Sequence, residues 1–312
     1  MRTTDLTKLM KILTFGCEVE MTGITRKEAA NIVAKELGEW GVVRRYTGGT
    51  YDAWEVTDLQ DRIWKIMRDG SIETLDEKKK VELVTPILKY EDLNTLQRII
   101  RALRLAGAKK NKSCGIHIHI GAEKFTATSL KNLANIFAAH EDLIYKALQV
   151  DGKHRNVDYC KKTDKWFLKD LNKKKINDLD DVARAWYMED NNPYELEIRK
   201  HRHYDKSRYH GLNLHAFWQK GTVEFRVFNS TLQANRITAY IQFCLALAAQ
   251  ALTQKRATYK KQETDNEKYA FRCWMLRLGL IGEEFQNCRK IFLEHLDGCS
   301  AWRYGKPQQQ AA

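Results

Sequence analysis

Residues 15–21 read Phe15-Gly16-Cys17-Glu18-Val19-Glu20-Met21, an apolar run that carries two glutamates two positions apart. In a β-strand, residues with this spacing point to the same face of the sheet. Two carboxylates side by side on one pleat repel each other, and burial increases that cost. The pattern therefore indicates either a solvated edge strand or a site in which a divalent cation lies between Glu18 and Glu20.

The length of 312 residues is compatible with one large domain or two ordinary ones. No Gly/Ser-rich or Pro-rich linker divides the chain, and the 43% of hydrophobic residues can form a substantial core. We therefore expect a single domain over residues 1–312, with its core at about 13–252 and a helical C-terminal extension at about 263–300.

The seven cysteines are scattered along the chain and form no C-x-x-C pair, which argues against a disulfide framework and against a thiolate zinc site. We expect most of them to be reduced core residues. The first residues contain no apolar run long enough for a signal peptide, and no segment approaches membrane-spanning length. A cytoplasmic location is the resulting expectation.

Lysine and arginine (53) outnumber aspartate and glutamate (40), which gives a formal net charge of +13. Such an excess attracts anions, including nucleic acids, acidic proteins and phosphorylated small molecules. The basic residues occur in short runs that are not interleaved with aromatic residues, as a platform for stacking nucleic-acid bases would be. The charge alone does not decide between these classes of partner.

Hydrophobic periodicity predicts an alternation of strands and helices. The predicted strands are 11–22, 42–46, 63–67, 80–85 and 113–121, followed by a hairpin of 209–216 with 222–229. The predicted helices are 26–37, 91–106, 126–149, 180–189, 234–252, 267–278 and 283–296. The rest of 151–205 is polar and irregular, which predicts a functional loop or lid.

Three later strands also carry polar side chains among apolar neighbours. Each has an ordinary explanation, namely a solvent-facing carboxylate, hydrogen-bonded core histidines and a same-strand ion pair. Their number nevertheless favours a shared site that binds a cation. The residues are Glu82 in 80–85, His117 with His119 on one face of 113–121, and Glu224 with Arg226 on one face of 222–229.

Taken in order, these motifs resemble the signature of the amidoligase family. That family belongs to the carboxylate–amine ligase superfamily of glutamine synthetase and glutamate–cysteine ligase, and the similarity extends from about Phe15 to Leu252. The motifs are Phe15-Gly16-x-Glu18-x-Glu20, Glu82-Leu83-Val84-Thr85-Pro86, Gly115-x-His117-x-His119-x-Gly121 and Gly221-Thr222-x-Glu224-x-Arg226.

The resemblance implies an α+β fold with a glutamine-synthetase-like catalytic domain, in which helices pack on the outer face of a curved antiparallel sheet. It also implies an ATP-dependent ligase that joins a carboxylate to an amine through an acyl-phosphate intermediate. Glu20 and Glu82 would bind one Mg²⁺, and Glu18, His117 and Glu224 would bind a second. The imidazole ligand also allows Mn²⁺.

The implied catalytic residues are Arg226, His119 and Glu224. Arg226 would contact the transferring phosphoryl group, and His119 would lie near the nucleotide or substrate. Asn213 and Lys65 are further candidates for nucleotide contact. The implied partners are ATP, a carboxylate substrate and an amine substrate, each of which can be a small molecule, a peptide or a protein side chain. A membrane partner is not expected, and nucleic acid is disfavoured.

Glutamine synthetase carries one more carboxylate in the segment that matches Glu82. Either Glu73 or Asp69 can supply it here.

Three alternatives remain open. A guanidino-type phosphotransferase of related fold would phosphorylate an amine-type substrate and form no amide. A nucleic-acid-binding protein would bind with a steep salt dependence and would be indifferent to loss of the glutamates. A structural zinc site of Cys114, His117 and His119 lacks a clear fourth ligand.

Overall fold

The computed structural model of the chain describes residues 3–38, 42–173, 175–189, 192–261 and 263–304. The strands in these residues are β1 (Phe15–Met21), β2 (Val43–Gly48), β3 (Ala53–Thr57), β4 (Ile63–Met67), β5 (Val81–Val84), β6 (Gly115–Gly121), β7 (Leu212–Asn213) and β8 (Thr222–Asn229). The α-helices are α1 (Thr3–Ile12), α2 (Arg26–Leu37), α3 (Leu93–Leu105), α4 (Ala127–Ala147), α5 (Lys165–Lys173), α6 (Leu179–Tyr187), α7 (Pro193–His201), α8 (His215–Lys220), α9 (Ala234–Thr253), α10 (Glu267–Arg277) and α11 (Gln286–Leu293).

The strands form one antiparallel sheet in the order β2-β3-β4-β5-β1-β6-β8-β7. The fold is therefore of the α+β class, as predicted. β1 lies in the interior of the sheet, between β5 and β6. The interpretation of residues 15–21 as a solvated edge strand is therefore wrong, because β1 pairs with another strand on each side.

One face of the central strands is apolar and packs against a layer of helices. Ile116, Ile118 and Ile120 of β6 are buried, and the ring of Phe225 in β8 lies 6.1 Å from that of Phe137 in α4. Helix α9 packs against α1, α3, α4 and α11, and most of its residues are buried. Because strand side chains alternate between faces, the polar residues of the same strands must point to the opposite face.

Several predicted elements are confirmed, with bounds that shift by a few residues at most. Helix α2 has the predicted bounds, and its N-terminus carries a capping box in which Thr25 and Glu28 exchange hydrogen bonds. Strand β4 also has the predicted bounds. All seven cysteines are free and five of them are buried, as predicted.

In the first sixty residues the prediction misses α1 and β3. Helix α1 contains the first residues of the predicted strand 11–22, which makes that part of the prediction wrong. Leu6 and Met10 are four residues apart, so in a helix they form one buried face, which packs toward α9. The short strand β3 pairs with β2 and β4.

The predicted hairpin of 209–216 with 222–229 is wrong in its first arm. Only Leu212 and Asn213 pair with β8, and α8 follows them. Gly221 ends α8 in the left-handed conformation, with φ of 65°, which glycine adopts without strain.

The predicted irregular segment 151–205 instead contains α5, α6 and α7, of which only α6 corresponds to a predicted helix. Residues 174, 190 and 191 of this segment lie outside the described residues. Apolar side chains such as Phe167 and Trp186, whose rings lie edge to face at 5.0 Å, stabilise these short helices by packing.

The described helices include none that is both long enough and apolar enough to cross a bilayer.

Thr85, of the second motif, links β1 to the segment after β5. Its Oγ1 accepts a hydrogen bond from the Cys17 N–H at 2.9 Å, and its own N–H donates to the Cys17 carbonyl oxygen at 3.0 Å. Thr85→Val keeps the shape of the side chain but leaves the buried Cys17 N–H without this acceptor, which costs about 1–3 kcal/mol. We expect urea denaturation to show that decrease in the free energy of unfolding. Thr85→Ser keeps the hydroxyl and should lose less, and equal losses in the two variants would contradict the hydrogen-bond explanation.

Candidate active site

The polar side chains of four separate segments meet on one face of the sheet. Neighbouring strands are about 4.8 Å apart, so side chains that are opposite each other on one face come into contact. The observed register pairs are Glu20 with Glu82, Glu18 with His117, and His119 with Glu224.

His117 is at the centre of this group. Its Nδ1 lies 3.0 Å from Glu18 Oε2 and 3.7 Å from Glu224 Oε1, and its Nε2 lies 3.7 Å from Glu20 Oε1. Burial, and then the charge of Arg226, lower the pKa of His117 despite the neighbouring glutamates.

Two sets of side chains have geometry suited to a metal ion, and both include His117. In each set the possible ligand atoms lie within 4.8 Å of one another. The first set is Glu18, His117 and Glu224, and the second is Glu20, Glu82 and His117. The structure thus brings together the residues of both predicted ligand sets, and their role in metal binding stays a prediction. Carboxylate oxygens are the ligands that Mg²⁺ prefers, and one imidazole also suits Mn²⁺.

Side-chain cations compensate the negative charge in the half of the site that contains Glu18 and Glu224. Burial opposes ionisation of Glu224, but the Arg226 guanidinium, 2.6 Å from its Oε1, and then His119 hold the pKa of this carboxyl well below its usual range. Burial likewise opposes ionisation of Glu18, and His119, the hydrogen bond from His117 and Lys220, whose Nζ lies 3.0 Å from Glu18 Oε1, outweigh it. The pKa of Glu18 is therefore also well below its usual range.

The half of the site that contains Glu20 and Glu82 lacks this compensation. Within the part of the chain that the structure describes, no lysine or arginine nitrogen lies within 4.0 Å of a carboxylate oxygen of Glu20 or Glu82. Burial, followed by the charges of Glu18 and Glu20, raises the pKa of Glu82 well above its usual range. Glu82 therefore retains its proton to a higher pH than a solvated glutamic acid does.

The remaining predicted residues lie on the same face. His119 is held by a 2.8 Å contact between its Nδ1 and Thr222 Oγ1. Asn213 donates from Nδ2 to Glu224 Oε2 at 2.5 Å. Lys65 lines the cleft in front of the sheet with half of its side chain exposed. The roles of these residues at a nucleotide stay predictions.

The site opens into a cleft of about 660 Å³. Sequence reasoning missed several residues of this cleft, because they come from helices and loops whose position relative to the sheet no periodicity indicates. They include Arg155, Tyr159, Tyr204, Arg208 and Lys220. Only Lys220 had a signal, since it directly precedes the fourth motif.

Of the two candidates for an extra carboxylate, Asp69 lines the cleft, and its charge adds to the raised pKa of Glu82 after burial, Glu18 and Glu20. Glu73 is exposed and is not among the cleft-lining residues. Cys114 belongs to neither potential metal group of the described residues, and its thiol contacts Asn111 Oδ1 at 3.2 Å. This geometry gives no support to a zinc site that includes Cys114.

Comparison with known proteins identifies a family and a structural likeness. The model of the family described as "Putative amidoligase enzyme" matches residues 11–248. A search among curated proteins finds no match for the chain. A crystal structure of a bifunctional glutathione synthetase from Pasteurella multocida is similar with a TM-score of 0.42 and 11% sequence identity, over 94% of this chain and 48% of that one. The present chain thus spans about half the length of that protein.

The raised pKa of Glu82 predicts that cation binding releases a proton. A cation binds the ionised carboxylate, so it must displace the proton that Glu82 retains, and affinity should rise with pH until Glu82 is already ionised. Calorimetric titration of Mn²⁺ in buffers of different ionisation enthalpy measures the proton release directly. Glu82→Gln should abolish the release, whereas Glu284→Gln, at a pair with Lys11 outside the cleft, should preserve it. Mn²⁺ binding without proton release in the unmodified protein would contradict the assignment.

Proposed function

The chain belongs to the amidoligase family, and from this premise we propose that it is an ATP-dependent carboxylate–amine ligase. We infer a glutamine-synthetase-like catalytic domain that forms an amide through an acyl phosphate. The observation that carries the proposal is the convergence of four glutamates, two buried histidines and Arg226 on one face of the sheet, beside an open cleft. Glu20, Glu82 and Glu224 are buried, and Glu18 is half-buried. Buried carboxylates in contact are costly unless a cation neutralises them, and a metal–phosphate complex supplies such a cation.

The proposed reaction has two steps. An oxygen of the substrate carboxylate attacks the γ-phosphorus of ATP, the bond to the bridging oxygen breaks, and ADP leaves. The amine nitrogen then attacks the carbonyl carbon of the acyl phosphate, the carbon–oxygen bond to phosphate breaks, and the nitrogen loses a proton. The products are an amide, ADP and inorganic phosphate.

The donor set fits divalent cations. Glu20 and Glu82 would hold one, and Glu18, His117 and Glu224 would hold another. Mg²⁺ or Mn²⁺ bound there would bind phosphate oxygens and neutralise charge on the transferring phosphoryl group.

We assign a distinct role in the reaction to each of several side chains. Arg226 uses Nη1 for Glu224 and Nε for the Tyr159 carbonyl oxygen, at 3.3 Å, so its other N–H donors can bind a phosphoryl oxygen. Asn213 orients Glu224 through the hydrogen bond to Oε2 and, with Lys65, lines the cleft. We assign Asn213, Lys65 and His119 to contacts with the nucleotide or substrate.

An acyl phosphate has to be kept from water until the amine attacks it. We assign this task to the segment 151–205, which contributes Arg155, Tyr159 and Tyr204 to the cleft. The hydrogen bond from Arg226 to Tyr159 connects this segment directly to the site. The same segment is the proposed determinant of which amine enters.

The reaction is tested by screening acids with amines for ADP release from Mg-ATP, and then by isotope transfer. With both oxygens of the acid labelled with ¹⁸O, one label should appear in inorganic phosphate and one in the amide, as measured by mass spectrometry. Phosphate without label would exclude the acyl phosphate. A phosphorylated amine without any amide would instead identify a phosphotransferase.

Arg226→Lys separates a phosphoryl-binding role from simple pairing with Glu224. Lysine keeps the charge but lacks the planar fork of donors, and the contact acts mainly in the transition state. We expect normal folding and Mg-ATP affinity within a few-fold of the unmodified protein, with turnover lower by about a hundredfold to a thousandfold.

Both quantities should be measured on one preparation. Arg62→Lys is the matched control, because Arg62 also pairs with carboxylates, Asp58 and Asp92, but lies outside the cleft. The control should keep its turnover. Full turnover in Arg226→Lys would remove the catalytic assignment.

A further inference from the structure

Arg155 is a buried guanidinium without an anionic partner. Only 4% of the residue is exposed, it lines the cleft, and its Nε has no hydrogen-bond partner. Among the described residues, no carboxylate oxygen lies within 4.0 Å of it, and its polar contact is from Nη2 to His117 Nε2 at 3.3 Å. A buried charge without a counter-ion is costly, so this guanidinium is suited to receive an anion.

Gly115, in the third motif, makes room for this side chain. A Cβ atom at position 115 would lie 1.8 Å from Arg155 Nη1 and 2.6 Å from Cζ. The Gly115 N–H also donates to Glu20 Oε2 at 2.5 Å, so the guanidinium lies directly beside the backbone that holds a candidate metal ligand. Glycine at 115 and arginine at 155 are therefore matched to each other, although forty positions separate them.

While Arg155 contacts His117, that histidine cannot coordinate a metal ion. Arginine only donates hydrogen bonds, so His117 Nε2 is the acceptor, and Nδ1 carries the hydrogen that it donates to Glu18 Oε2. A metal at Nε2 needs the lone pair that faces Arg155. A metal at Nδ1 moves the hydrogen to Nε2, where it would point at the N–H of Arg155. Either mode of coordination requires Arg155 to leave His117.

We propose that Arg155 is a second phosphoryl-binding arginine, which rests on His117 until a divalent cation coordinates that histidine and then binds the transferring phosphoryl group. The identity of the anion rests on the proposed function. Arg226 reaches the site through Glu224, which is near His117 Nδ1, whereas Arg155 reaches it from the Nε2 side. The two arginines thus flank the histidine that both ligand sets share.

The chain around Arg155 is held by other bonds. Tyr145 Oη donates to the carbonyl oxygens of Cys160 and Lys161, at 2.6 and 3.0 Å, and Arg226 Nε donates to that of Tyr159. Loss of the Arg155 guanidinium therefore leaves the anchors of this segment in place.

Arg155→Gln in the full chain tests the proposal through two measurements that should move in opposite directions. Calorimetric titration of Mn²⁺ without nucleotide should show tighter binding, by about fivefold to a hundredfold, because the competitor for His117 is gone. Mn-ATP affinity and turnover should fall, because a phosphoryl-binding group is lost. A merely structural role would weaken both.

Gly115→Ala should also free His117 from Arg155, because the added methyl group displaces the guanidinium. It should also tighten Mn²⁺ binding, and it should add little when combined with Arg155→Gln. Arg236→Gln, at a pair with Glu294 outside the cleft, is the control and should leave Mn²⁺ affinity unchanged. If Arg155→Gln does not fold, Gly115→Ala decides the sign by itself.

Unchanged or weaker Mn²⁺ binding in the folded variants would overturn the proposal. Tighter Mn²⁺ binding with undiminished Mn-ATP affinity and turnover would also overturn it, because Arg155 would then contact no phosphoryl group. Failure of the proposed function is a separate outcome, in which the unmodified protein forms no amide with any acid and amine whatever the Mn²⁺ affinities are.

Discussion

The repulsion among four glutamates on interior strands is the constraint on which the rest of the site depends. Glu18 and Glu20 cannot move apart from the polar side chains beside them, because pairing with β5 and β6 fixes Glu20 opposite Glu82 and Glu18 opposite His117. Glu82 and Glu224 complete the group from neighbouring strands. Packing of the opposite face against the helices fixes the register, since a shift of one residue would place these carboxylates in the apolar core. The fold therefore keeps the four carboxylates close together, and cations have to offset their repulsion.

That compensation is uneven, and the unevenness gives the two halves of the site different properties. Glu18 and Glu224 have Lys220 and Arg226 as neighbours, so a metal ion entering this half gains less from charge neutralisation. Glu82 faces other carboxylates, and burial followed by their charges raises its pKa, so a metal ion gains more from charge neutralisation there. His117 belongs to both ligand sets, so any group that binds to its ring nitrogens affects both halves of the site.

Much of this site could be predicted from the sequence, because the two-residue alternation of a strand states which side chains share a face. This alternation predicts a common face for Glu18 with Glu20, for His117 with His119, and for Glu224 with Arg226. The structure places each pair on one face. The order of strands is not encoded in any single strand. The number of polar motifs favours a shared site, but only the family resemblance divides their residues into two ligand sets.

The sequence predicts the helices and loops less completely than the strands. The short helices of the segment 151–205 depend on tertiary packing, and Arg155 and Lys220 reach the sheet from outside it. Lys220 adjoins the fourth motif, but no local pattern marks Arg155 as part of a site on distant strands.

The origin of each charge also matters for how the site can respond to ligands. The four carboxylates belong to strands of one sheet, whose backbone hydrogen bonds keep them from moving apart. Two of the cations come from elsewhere, Lys220 from the end of α8 and Arg155 from the segment between α4 and α5. When a ligand changes the charge balance, the strands cannot relax, whereas a long side chain on a helix end or a loop can change its contacts. Rearrangement on ligand binding therefore falls mainly to the basic side chains, and the carboxylates keep the geometry that the sheet gives them.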